Sequence, residues 1–132
     1  MNSDDFFERM KTKCPILYKD LSYIECAEGW FFLIEKMSHV IERELERLDP
    51  LIAEHMYVVQ IKEKFGGIRF YMNQSTPHID GVIDLADMLS FSMCEHCGKI
   101  ESTRRNIGGY LVTLCDIHYD DELAERKKKH LV

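Results

Sequence analysis

Cys94-Glu95-His96-Cys97-Gly98 and Leu114-Cys115-Asp116-Ile117-His118 decide how this chain is read. They set C-x2-C and C-x2-H at the two ends of a seventeen-residue gap. A two-residue spacing lets both side chains of a tight turn face one ion, and Gly98 frees the backbone to curl beneath the first pair. Three thiolates and one imidazole form a closed tetrahedral donor set whose softness suits zinc. The expected cofactor is one structural Zn2+ per chain, held by Cys94, Cys97, Cys115 and His118. His96 and His130 are close enough in sequence to stand as alternatives to His118. With four protein donors no position is left for water or substrate, so the ion is expected to stabilise the fold. The cysteine count of 5 is odd, which fits three ligands and two bystanders, Cys14 and Cys26, better than a disulfide framework.

Between the ligand pairs, Ile100 to Thr103 and Tyr110 to Leu114 flank Asn106-Ile107-Gly108-Gly109, the pattern of a β-hairpin. From Asp116 to Lys129 the chain reads as a helix, acidic at its start and basic at Arg126-Lys127-Lys128-Lys129, as the helix dipole favours. Knuckle, hairpin and helix in that order resemble a treble-clef zinc finger. The seventeen-residue gap is also similar to that of the TraR/DksA transcription regulators, although His118 stands where those close with cysteine. Treble-clef scaffolds also carry HNH endonucleases, whose chemistry needs a histidine to activate water and further ligands for a catalytic cation. No Asp-His pair lies between Cys97 and Cys115, so no catalytic residues are assigned and no enzyme is expected.

Upstream, Ser3-Asp4-Asp5 before Phe6, Phe7 and Met10 reads as a capped helix ending ahead of Cys14-Pro15. Trp30, Leu33, Ile34, Met37, Val40, Ile41, Leu45 and Leu48 repeat at helical spacing from about residue 27 to 48, where Asp49-Pro50 stops them. Two alternating runs follow. Tyr57, Val59 and Ile61 share one face, and Ile68, Phe70 and Met72 alternate beyond Phe65-Gly66-Gly67, which predicts a hairpin. Pro77 then opens a second long helix, with Ile79, Val82, Ile83, Ala86, Leu89 and Met93 as its apolar stripe. The expected fold is α+β: helices packed on a β-hairpin body over 1–93, with the zinc-finger module of 94–132 packed against it as one compact unit.

Composition bounds the function. The 132 residues carry 17 Lys and Arg against 23 Asp and Glu, a net charge of -6, which argues against tight non-specific binding to a phosphate backbone. The excess is local: residues 1–93 hold 10 basic and 16 acidic side chains, while 94–132 hold 7 of each. Lys62, Lys64, Arg69 and Tyr71 share the strand parity opposite the apolar residues, so they form a candidate partner-binding face. The commoner reading of such a face is a solvated hairpin. The acidic start lacks the regions of a signal peptide and the apolar run Trp30 to Ile34 stops at Glu35, so a cytoplasmic protein without membrane association is expected.

Taken together, Gly29-Trp30, the run Val59 to Tyr71 with its Lys62-Glu63-Lys64-Phe65-Gly66-Gly67-Ile68-Arg69-Phe70-Tyr71 core, Ser90, the knuckle, and Thr113 to His118 resemble a family of small uncharacterised phage and prophage proteins. The resemblance spans about residues 29 to 118. It implies a phage-related origin, a bacterial host cytoplasm and a zinc-bearing domain, and it brings no established activity. The expected function is a small zinc-stabilised binding protein that modulates a host macromolecule in defence or transcription through protein-protein interaction. The alternative is a nucleic-acid-binding module or HNH-like nuclease using the basic hairpin face.

Overall fold

The computed structural model of the chain describes residues 1–130, so the end of the 94–132 segment lies outside the described residues. The elements run α1 (Ser3–Lys13), a 3-10 turn (Glu28–Trp30), α2 (Phe31–Arg47), α3 (Pro50–Ala53), β1 (Val58–Lys64), β2 (Gly67–Met72), α4 (Pro77–Ser90), β3 (Thr103–Ile107), β4 (Tyr110–Leu114) and α5 (Asp116–Lys128). The architecture is α+β, with two separate antiparallel hairpins, β1-β2 and β3-β4. No helix among the described residues is long and apolar enough to cross a membrane.

Local chemistry sets the element ends. Asn2, rather than Ser3, caps α1, its side chain accepting the Asp5 N–H at 2.8 Å. Thr76 caps α4 and Pro77 occupies its first turn, where a missing N–H costs nothing. Asp49 stops α2 and starts α3, accepting from the Leu51 N–H.

One core joins α1, α2, α4 and the first hairpin. Phe6, Met10, Leu17, Tyr18, Trp30, Ile34, Ile41, Leu45, Val58, Ile61, Ile68, Phe70 and Ile79 are all buried in it. A second, smaller cluster contains Cys94, Ile107, Leu114 and Cys115. The β1-β2 register pairs Lys62 with Arg69 and Gln60 with Tyr71, but it shifts between Val58 and Gln60. That bulge turns Val58 inward beside Ile61 and leaves Val59 exposed, whereas strict alternation predicts Val59 in the core. Ile68 and Phe70 face the core as their spacing predicts.

Two carboxylates on α2 lie off its apolar stripe and are nevertheless buried. Glu35 and Glu42 are buried, spaced so that they lie along one line of the helix. Glu42 accepts the backbone N–H groups of Leu17 at 2.8 Å and Ile16 at 3.1 Å, closing the turn after Pro15. Glu35 faces Arg9 at 2.6 Å and Lys13 at 3.8 Å from α1.

Candidate metal centre

The Cys94–Gly98 turn brings the first two thiols together. Its backbone is tied at both ends: the Gly98 N–H donates to the Cys94 carbonyl at 2.7 Å and the Cys94 N–H to Lys99 at 3.0 Å. Gly98 has φ +79. The second pair sits where β4 passes into α5, with Cys115 at the helix N-cap and His118 one turn inside. The Tyr119 N–H donates to the Cys115 carbonyl at 2.8 Å, which closes that first turn.

The donor atoms of Cys94, Cys97, Cys115 and His118 all lie within 4.8 Å of one another. His118 Nδ1 is 3.2 Å from Cys115 Sγ and 3.6 Å from Cys94 Sγ, and the Sγ atoms of Cys97 and Cys115 are 3.9 Å apart. Bonds of roughly 2.3 Å to sulfur and 2.0 Å to nitrogen give tetrahedral edges of about 3.8 Å and 3.5 Å, so the four side chains can hold one metal ion. Cys94 and Cys115 are buried, His118 is half-buried and Cys97 is exposed. The His118 backbone N–H directed at Cys115 lowers that thiol's pKa to about 7, favouring the thiolate a metal requires.

The neighbouring histidines take other places. His96 is exposed and its ring stacks on that of His118, with centroids 5.3 Å apart. His130 is exposed beyond α5 and is not among the clustered groups. Cys14 and Cys26 also stand outside the cluster. A cleft of about 620 Å³ reaches the centre from one side, bordered by Phe32, Arg9, Glu35, His96, Cys97 and His118.

The knuckle is fastened to the helical body by residues the ligand spacing does not reveal. Gly29 donates its N–H to the Glu95 carbonyl at 2.7 Å, and a Cβ at position 29 would collide with the Cys94 and Glu95 carbonyls. The Glu95 carboxylate accepts the Ala27 N–H at 3.0 Å, and Trp30 Nε1 donates to the Met93 carbonyl at 2.8 Å. Gly29-Trp30 thus forms the seat of the knuckle, and its signal in the sequence is a small residue before a lone tryptophan.

The first hairpin turn supplies the other fastening. Phe65 and Gly66 both have positive φ, 56 and 84, which gives a two-residue turn of the kind that matches strand twist. The turn aims its carbonyls at β3-β4: Thr113 Oγ1 donates to Gly66 at 2.6 Å and Arg104 to Phe65 at 3.3 Å. Gly67 lies against the Phe91 ring, which leaves no room for a Cβ.

Lys62, Lys64, Arg69 and Tyr71 share one face of the hairpin, as their parity predicts, though the face is not uniformly cationic. Arg69 is paired with Asp87 at 3.0 Å and is partly covered. The Lys64 ammonium lies 5.5 Å from the Phe65 ring centre, and Tyr71 is exposed.

Compared with known proteins, the chain matches no family model, no curated protein and no solved structure.

Proposed function

We propose that the Cys94, Cys97, Cys115 and His118 centre holds a structural zinc ion, and that the chain is a zinc-stabilised binding protein acting on a bacterial host protein. The carrying observation is a four-donor cluster knitted to the body by backbone contacts at Gly29, Glu95, Met93 and Gly66. Such an ion shapes a surface and has no position left for substrate. The energetics point the same way. Ile107 and Leu114 are the fully buried aliphatic side chains of the second cluster, each contributing about 1.5–3 kcal/mol, whereas a structural zinc contributes roughly 10–16 kcal/mol. Knuckle, hairpin and ligand-bearing helix follow the treble-clef order, and the resemblance over residues 29 to 118 supports a phage or prophage setting.

Protein is favoured over nucleic acid as the partner because the guanidinium groups of the first hairpin and of the C-terminal segment are engaged within the chain. Arg69 pairs with Asp87, Arg105 with Asp116 and Arg126 with Glu122, and Arg104 lies over Phe91 while donating to Phe65. Affinity capture from bacterial lysate with the zinc-loaded chain tests this. A specific protein retained after nuclease treatment is expected. Capture abolished by nuclease, or steeply salt-dependent DNA or RNA binding, would contradict it.

A further inference from the structure

Helix α4 turns one face inward and leaves a second apolar face without a cover. Ile79, Ala86 and Ser90 are buried, while Leu85, Met88 and Leu89 are 62%, 70% and 44% exposed. Gly81, Leu85 and Met88 follow one another at intervals of four and three, so they lie along one line of the helix with Leu89 beside them. Large apolar side chains gathered on one exposed face mark a docking surface more often than isolated ones do.

Gly81 is an independent observation. A glycine inside a helix lowers its stability, and a Cβ here would meet nothing within 4 Å. The chain's own packing therefore gains nothing from this glycine. On an outer face it leaves a flat place where a second backbone can approach closely.

Charge selects the occupant. Helix α4 carries Asp80, Asp84 and Asp87 and no Lys or Arg. Asp87 is met by Arg69, but Asp80 and Asp84 border a groove of about 380 Å³ with Tyr71 and Ile83. Across the helix, His78 lies 4.0 Å from Glu44 of α2, which adds a carboxylate on the other side. A second copy of the chain would bring these acids against one another, whereas a helix with Lys and Arg flanks would meet them favourably.

We propose that the Gly81, Leu85, Met88 and Leu89 stripe of α4 is the docking surface for an amphipathic basic helix of a partner protein. This assignment rests on the binding-protein reading and gives it a location. Apolar anchors enter between the stripe residues, the flexible Met88 adapts to them, and the flanking carboxylates set orientation.

The test is an amide NMR titration of the full zinc-loaded chain with a designed Leu/Lys amphipathic peptide of about 18 residues, roughly five helical turns. Its Leu/Glu counterpart serves as the comparison. Saturable shifts concentrated on residues 81–89 are expected with the Leu/Lys peptide, together with at least a tenfold weakening in Met88→Lys and in Asp84→Lys. Both positions are exposed, and an unchanged spectrum elsewhere establishes that each variant is folded. Absence of saturable shifts, shifts confined to another face, or equal binding of the Leu/Glu peptide would overturn the proposal. So would self-association abolished by Met88→Lys in sedimentation equilibrium. A host protein captured equally by wild type and Met88→Lys overturns this surface while sustaining the binding reading. Failure of the wild-type chain to capture any protein sinks that reading itself.

Discussion

Glu42 shows how a charged side chain can be structural. Burial raises its carboxyl pKa above the ordinary range, even though the Leu17 and Ile16 N–H groups pull it the other way. A carboxyl that holds its proton more tightly when folded contributes most below its unfolded pKa, and that contribution fades as pH rises through the folded value. In urea titrations, the stability of wild type relative to Glu42→Gln should therefore fall as pH rises across the carboxylate range. Glu42→Ala leaves two backbone donors without their acceptor and should cost about 1–3 kcal/mol. The bystander thiols give a second residue-scale prediction. Burial first, then the Glu42 and Glu35 carboxylates, pushes Cys14 up to about 12, and Cys26 is raised by burial with Glu95 and Glu63. Because the thiolate is the nucleophile, both should react slowly with a thiol reagent near neutral pH. Chelation should release three fast-reacting thiols and leave these two slow; five fast thiols would contradict the assignment.

At the scale of elements, α4 and the 3-10 turn place opposite demands on glycine. Gly81→Ala meets open space and removes a weak helix residue, so thermal denaturation should show stabilisation of about 0.5–1 kcal/mol. Gly29→Ala drives a methyl into the knuckle carbonyls and should destabilise by about 1–3 kcal/mol and weaken metal retention, measured by competition with a chelator. The two outcomes differ for a reason that local sequence does not contain. Helical spacing locates α2 and α4, and the Gly-Gly pairs mark both hairpins, because those signals are local, although the first turn is Phe65-Gly66 and Gly67 already opens β2. The bulge at Val58 and Gln60, the inward Glu35 and Glu42, and the close contact at Gly29 depend on partners far along the chain.

For the whole molecule, the clustered ligand side chains were legible because two-residue spacings confine each pair to one turn. The attachment was not. Thr113 to Gly66, Ala27 to Glu95 and Trp30 to Met93 join segments separated by 47, 68 and 63 positions. These links make the centre a joint between the helical body and the second hairpin. The body has its own large core, so removal of one ligand should act unequally. In hydrogen exchange, Cys115→Ser should lose protection across β3, β4 and the start of α5, while amides of α2 and β1 remain protected. The four-donor centre is proposed as a resident structural zinc site. Native mass spectrometry of the folded full chain, purified without added metal, tests it most directly. One zinc ion per chain is expected, absent from Cys115→Ser; a folded wild-type chain carrying no metal would overturn the zinc assignment.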